Sequence, residues 1–191
     1  MFEYIGKKIQ TSLALLEYVS LAGGYTELID APNGGERSKR PMSRKYVDGK
    51  PDGYVDMSPD GSESCIMFVD GTDMSLEQHT NRYDVLLFRP RIVVWYDERK
   101  LDFTGELDTG ARVTQDIISS VKSTLFPFFS KVHARFELLT VDPARIWQGY
   151  NFKPDDALFM APYRTFAVTF RLKVWQMNCV ESTIELNEIC C

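Results

Sequence analysis

The sequence predicts an α+β fold: an antiparallel or mixed sheet packed by an N-terminal helix and a second amphipathic helix, with a long turn-rich arm. Two segments show helical spacing of apolar residues, and several others show strand-like patterns. The clearest strand pattern runs from Tyr163 to Met177, where every second side chain is apolar: Phe166, Val168, Phe170, Leu172 and Val174. Since strand side chains alternate between faces, this segment predicts a long strand with one buried and one polar face.

Length and composition fit one domain over residues 1–191. The chain has 191 residues, of which 44% are hydrophobic and 13% aromatic, so a substantial core is expected. The formal net charge of −5 argues against a surface that binds nucleic acid as a whole, because neutralising phosphates requires a basic field. No apolar run approaches the roughly 20 residues that a membrane helix needs, so no membrane partner is predicted.

The first element is predicted to be an amphipathic helix over roughly residues 4–21. Its apolar residues recur at helical spacing, and two glycines are expected to end it: Ile5, Ile9, Leu13, Leu16, then Gly23 and Gly24. Polar side chains interrupt the apolar stretch after Lys8, which favours this helix over a signal peptide.

Residues 23–61 are predicted to form the arm. The turn pairs in this span are typical of tight turns and hairpin tips: Asn33-Gly34, Asp48-Gly49, Asp52-Gly53 and Asp60-Gly61. A short strand near Thr26–Asp30 is expected before them. We interpret the span as an extended arm or a pair of hairpins that projects from the body.

Regular structure is predicted to resume at Ser64. Strands are expected at Cys65–Val69, Val85–Phe88 and Arg91–Tyr96, and a single helical turn at Ser75–Asn81. Pro90 lies between two of these strands and indicates an edge or a bulge, since proline donates no ladder hydrogen bond.

The second helix has the most regular apolar stripe. Val113, Ile117, Val121 and Leu125 repeat every four residues, Asp108 or Thr109 can cap the start, and Pro127 should kink or end the helix. The expected elements after it are a strand at Arg135–Val141, loops around Asp142-Pro143 and Lys153–Pro162, the closing strand, and a C-terminal tail over residues 178–191.

No catalytic or metal-binding motif accompanies these elements. The chain has four cysteines and two histidines, without a pairing or spacing typical of a zinc site, so reduced thiols, no metal and no cofactor are expected. His79 and His133 are the remaining candidates for a small enzyme site, and this alternative stays open. The interpretation we favour is that the protein is not an enzyme.

Two groups of residues are candidates for an interface or a DNA channel. The first group is five cations of the arm on an otherwise acidic chain: Arg37, Lys39, Arg40, Arg44 and Lys45. They could bind an acidic partner surface or nucleic-acid phosphates, or simply form a solvated loop. The polar face of the closing strand supplies Arg171, Lys173 and Trp175. An exposed tryptophan there suits an interface anchor, with burial in the core as the alternative.

The order from Arg91 to Met177 is a strand (RIVVWYDERK), an amphipathic helix (TGARVTQDIISSVKSTLFPFF), a strand (ARFELLTV), a long loop and a closing strand (APYRTFAVTFRLKVWQM). With the preceding helix, this order resembles the tail-terminator and tail-completion proteins of tailed bacteriophages, which build neck and connector rings. The resemblance covers the body of the chain and rests on element order and on the aromatic and basic closing strand. The excursion at residues 23–61 is longer than in the simplest members.

The resemblance implies a structural subunit of a closed homo-oligomeric ring, sixfold or twelvefold, around the DNA channel that joins head to tail. Its implied partners are neighbouring portal or adaptor proteins, tail-tube proteins and the packaged DNA. The implied location is the neck or tail of the virion, after synthesis in the host cytoplasm. The alternative from the residues themselves is an adaptor that binds nucleic acid through the basic arm.

Overall fold

The computed structural model describes residues 2–33, 36–47, 50–70, 74–79, 83–101, 103, 108–125, 132–147, 150 and 156–177. The helices are α1 (Phe2–Leu13), α2 (Thr109–Leu125), α3 (Pro143–Ile146) and a 3₁₀ helix (Asp156–Phe159). The strands are β1 (Leu21–Asn33), β2 (Glu36–Val47), β3 (Lys50–Asp56), β4 (Cys65–Asp70), β5 (Met74–His79), β6 (Tyr83–Phe88), β7 (Arg91–Asp97), β8 (Val132–Thr140) and β9 (Tyr163–Met177). The predicted α+β class is confirmed, and the fold is rich in strand.

All nine strands in the described ranges belong to one mixed sheet, which is organised around β9. The order is β3-β2-β1-β4-β7-β9-β6-β5, and β8 also pairs with β9. β9 pairs with β7 through its first half and with β6 through its second half, while β8 lies along its other edge. The break between β6 and β7 falls at Arg89-Pro90. The register with β9 is the same on both sides of it, so the proline interrupts the strand without the bulge that was one of the two expectations. The pairing of β1 with β4 is parallel, and the other described pairings are antiparallel.

One face of the sheet packs against α1 and α2. The helices contribute Ile5, Ile9, Leu13, Val113, Ile117 and Val121, each at most 4% exposed. The apolar side of β9 meets them, since its five predicted core residues, Phe166 to Val174 in alternation, are at most 5% exposed. The burial predicted for this side of the strand is therefore confirmed, and its side chains pack in the main core with those of both helices.

The opposite face is also buried over the first half of β9, which the sequence does not predict. Ala167 lies in a second core with Met57, Phe68, Trp95 and Ile146. The Trp95 indole donates a 2.7 Å hydrogen bond to the carbonyl of Leu158, so the 3₁₀ helix covers this face together with α3. Thr165, expected on a polar face, is only 9% exposed. The expectation of a single buried face was therefore wrong for this half of the strand.

The N-terminal helix is shorter than predicted, because α1 ends at Leu13 and turns follow. Gly23 and Gly24 do not end a helix but lie in β1. A Cβ atom on Gly23 would lie 2.9 Å from Sδ of Met57 and 3.0 Å from Cβ of Phe68, so close packing, not a helix cap, requires the glycine.

The arm consists of two consecutive antiparallel hairpins, β1–β2 and β2–β3. The strand expected near Thr26–Asp30 is the middle of the longer β1. The helical turn expected at Ser75–Asn81 was wrong: residues 74–79 form β5, because pairing with β6 overrides a sequence (MSLEQH) that tolerates helix. Asn81, Pro127, Lys153 and the tail at 178–191 lie outside the described residues.

Candidate assembly surface

The strand β8 forms an apolar edge of the sheet. It pairs with β9 and, within the described part of the chain, with no other strand. The exposed fractions of four apolar side chains on or next to it are 37% for Phe136, 56% for Leu138, 41% for Leu139 and 66% for Val141. An edge strand presents unpaired backbone groups, and exposed apolar side chains beside them make it a template for pairing with another chain.

A bulge in β8 distributes these side chains over both faces. The register with β9 shifts between Phe136 and Leu138, so Leu138 lies opposite Thr169 and Leu139 opposite Val168. Thr169 and Val168 lie on opposite faces of β9, so the two leucines also do. The strand therefore presents apolar surface on both sides of its free edge.

A groove of about 850 Å³ adjoins this edge, between α2 and the start of β9. Leu139 and Val141 form part of its wall, so the groove and the apolar edge are one continuous surface. Across it, Arg164 donates a 3.0 Å hydrogen bond to the Glu98 carboxylate. Burial raises the pKa of Tyr96 to about 12, so its hydroxyl stays protonated. The remaining lining residues include Asp108, Thr114, Gln115, Ile118 and Phe166.

The polar face of β9 carries a cationic cluster that extends onto β8. Nζ of Lys173 lies 2.7 Å and Nη2 of Arg171 lies 3.9 Å from the carboxylate of Glu77 on β5. The predicted candidates Arg171 and Lys173 therefore share one acid. Arg135 stands directly opposite Arg171 in the β8–β9 register. It makes no ion pair with any residue that the structure describes, so the cluster has an excess of positive charge.

Trp175, the third candidate of the closing strand, is half-buried and lies at the rim of this cluster. Its ring centroid is 5.4 Å from that of His133 on β8. Trp175 is therefore not buried in the core, and its role as an interface anchor stays a prediction.

The cations of the arm are only partly available to a partner. Nη1 of Arg40 lies 2.6 Å from Oδ2 of Asp56, which anchors β2 to β3. Nη1 of Arg44 lies 2.5 Å from Oε1 of Glu3 in α1, which ties the arm to the body. Lys39 and Lys45 are exposed. The side chain of Arg37 lies outside the described residues.

The two histidines are not brought together. His79 is on β5 and His133 on β8, and β6 and β9 lie between these strands. At about 4.8 Å per strand spacing, the separation is at least about 14 Å. Nδ1 of His79 lies 2.6 Å from Oδ1 of Asp84, and both residues are on one hairpin.

Asp97, the last residue of β7, fixes the end of that strand. Its side chain is fully buried and accepts hydrogen bonds of 3.0 Å from Nε and 2.8 Å from Nη2 of Arg99. These bonds lower the pKa of Asp97 below its ordinary value. The Arg99 guanidinium also lies 5.4 Å from the centre of the Tyr163 ring, at the start of β9. The Asp97 carboxylate therefore stabilises the fold by fixing Arg99 at the end of β7.

Across the described ranges, no group of three or more His, Cys, Asp or Glu side chains is arranged to hold a metal ion. No described helix is both long and apolar enough to cross a lipid bilayer. Comparison of the chain with protein-family models, with curated proteins and with solved structures finds no match.

The sequence reasoning missed the exposed residues of β8. The strand itself is expected from ARFELLTV, but a run in which neighbouring residues are apolar is usually typical of burial on both faces. The signal that was present is the pair Leu138-Leu139, which breaks the alternation where the bulge occurs.

Proposed function

We propose that this protein is a structural subunit of a bacteriophage neck or tail connector, which assembles as a closed homo-oligomeric ring around the DNA channel and joins head to tail. The expected partners are other copies of the chain and the adjacent portal, adaptor or tail-tube proteins, in the virion. The resemblance in element order supplies the family, and the surface of β8 supplies the argument for assembly.

The observation that carries the proposal is the apolar free edge of β8. Monomeric proteins usually protect such edges, because they pair with other chains. Three exposed apolar side chains lie on β8 and a fourth, Val141, directly follows it. Two of the four are in the wall of the adjoining groove, which fits a surface that another subunit covers.

The two alternatives have less support. An adaptor that binds nucleic acid through its arm needs unpaired cations. Arg40 is already paired with Asp56 inside the arm, and Arg44 with Glu3 of α1. An enzyme that uses both histidines needs them within hydrogen-bonding reach of one substrate, whereas two strands separate His79 from His133.

The test is the mass of the purified full chain in solution, by light scattering coupled to size-exclusion chromatography, over a series of concentrations. A discrete ring, visible by negative-stain microscopy, is the expected result. Mass spectrometry of purified virions should then find the chain among the neck or tail proteins. A chain that stays monomeric at high concentration and is missing from virions would overturn the proposal.

A further inference from the structure

We infer that β8 of one copy adds antiparallel to β5 of the next copy, so that neighbouring subunits share a continuous sheet. The inference rests on the proposed function for the existence of a ring. It goes further by naming the two strand edges that meet and the charged pair that sets their register. The occupant of the β8 edge is thus a second copy of this chain.

Among the described strands, β3, β5 and β8 lie at edges of the sheet, and they differ in how well they can accept another strand. β3 contains Pro51, which has no N–H to donate, and Gly53, whose φ of +83° interrupts extended backbone. β8 and β5 contain neither proline nor glycine. Both carry exposed apolar side chains, such as Leu138 on β8 and Leu76 on β5, which is 57% exposed. β8 and β5 are therefore the two edges suited to pairing.

Strand direction favours joining these two edges. β5, β6, β9 and β8 form a four-strand array in which every pairing is antiparallel. β5 consequently has the same direction as β9, and β8 has the opposite direction to both. A rotation that brings β8 of one copy beside β5 of the next therefore produces an antiparallel pair without reversing either subunit. The same contact repeats head to tail, as a closed ring requires.

Charge supports the same pairing. Like charges directly opposite each other on neighbouring strands are destabilising, and Arg135 lies opposite Arg171. Glu77, the acid of this cluster, already faces Lys173 and Arg171 of its own chain. Glu77 is on β5, so the Glu77 of the next copy would add a second carboxylate to this cluster, beside Arg135. Cross-strand neighbours share a face, which places Arg135 and Glu77 on the same side of the joined sheet.

In one register of this β8–β5 pair, an apolar residue faces an apolar residue and a cation faces an acid. With Phe136 opposite Leu76 of the next copy, Arg135 stands opposite Glu77. Phe136 shares a row of the sheet with Phe170, whereas Leu76 shares a row with Val174. Neighbouring copies are thus displaced along the strands by the distance between Phe170 and Val174 on β9. Closed sheets require such a stagger, because their strands tilt against the axis.

The experiment is disulfide trapping in a full chain whose Cys179, Cys190 and Cys191 are replaced by serine. Arg135→Cys and Glu77→Cys are made in separate chains, which are mixed under assembly conditions and mildly oxidised. The mixture should give a covalent dimer on non-reducing gels, and each variant alone should give none. The matched control replaces Glu77→Cys by Leu28→Cys, an exposed position on the arm, and should give no dimer.

The outcomes separate this inference from the proposed function. A ring that forms without the mixed dimer overturns the β8–β5 pairing and leaves the ring intact. A dimer from Arg135→Cys alone also overturns it, because β8 would then meet β8. A chain that forms no oligomer overturns both proposals.

A charge reversal provides the second measurement. Arg135→Glu should raise the protein concentration at half-assembly at least tenfold, because it sets two carboxylates against each other at every interface. Lys7→Glu, an equal charge change at an exposed site on α1, should leave it within about twofold. Thermal melts confirm that both variants fold. Equal assembly of the two variants would contradict the pairing.

Discussion

Replacing Leu138 by lysine should weaken assembly without unfolding the subunit. The Leu138 side chain is 56% exposed in the isolated chain. Covering it would secure roughly half of the 1.5–3 kcal/mol that full burial of a leucine provides, or about 1–1.5 kcal/mol at each interface. Since about 1.4 kcal/mol corresponds to a tenfold change in an equilibrium constant, each contact should weaken roughly five- to tenfold. The lysine also brings a charge that must be desolvated when the edge is covered.

The assay follows oligomer mass against protein concentration by light scattering, with thermal unfolding measured in parallel. Leu138→Lys should shift the assembly curve to higher concentration, while its melting temperature at low concentration stays close to that of the parent, because exposed substitutions usually change stability by about 0.5 kcal/mol or less. Leu15→Lys is the matched control, since Leu15 is 79% exposed and lies on the turn after α1, outside β8. If both variants assemble like the parent chain, the assignment of β8 as a buried interface is refuted.

Three further predictions concern the fold. Ile117→Ala, in the fully buried stripe of α2, should lower the free energy of unfolding by about 2–5 kcal/mol in chemical denaturation, and a loss below 1 kcal/mol would show that α2 packs loosely. Gly23→Ala should lower the free energy of unfolding by about 1–3 kcal/mol in the same measurement, because the new methyl group contacts Met57 and Phe68. Gly53→Ala tests a different effect, the backbone strain of a positive φ, because the space around this glycine is open. Asp97→Asn should cost about 1–2 kcal/mol at neutral pH, because it removes charge-assisted bonds to Arg99, and should flatten the acid branch of the stability curve. The sign follows from the lowered pKa of Asp97 in the folded chain. The stabilisation by Asp97 is complete above the ordinary carboxylate pKa of about 4 and is lost as the pH falls through the lower pKa of the folded state. An acid branch that is the same in the Asp97→Asn variant and the parent would contradict this prediction.

The elements with strict periodicity could be predicted from the sequence. The alternation along β9 and the four-residue repeat of α2 identify both elements and their buried sides, because a side chain on the wrong face would bring polar groups into the core. Val113, Ile117 and Phe170 are all fully buried, as expected.

The remaining features depend on contacts between distant segments. Burial of the second face near Thr165 and Ala167 requires α3 and the 3₁₀ helix to fold back over the sheet, which no local pattern encodes. The role of Gly23 depends on Met57 and Phe68, both far along the chain. β5 is a strand because β6 lies beside it, which propensity alone does not decide.

The candidate surface was predictable only in part. Arg171 and Lys173 were identified on the polar face of β9, but their shared acid, Glu77, belongs to a segment predicted as a helical turn. The exposure of Leu138 follows from the position of β8 at the sheet edge, which is a property of topology.

The position of β9 also governs how the chain folds. Residues 163–177 follow all the other described strands in the sequence, yet they supply the pairing partner of β6, β7 and β8. During synthesis, the hairpins β1–β2–β3 and β5–β6 can close locally, whereas β8 has no described partner until β9 leaves the ribosome. The sheet is therefore completed in one late step, and its many contacts between distant residues make that step slow. Until then, the apolar rows of β7 and β8 are open to other chains, so a newly made chain is most prone to aggregate before β9 is in place.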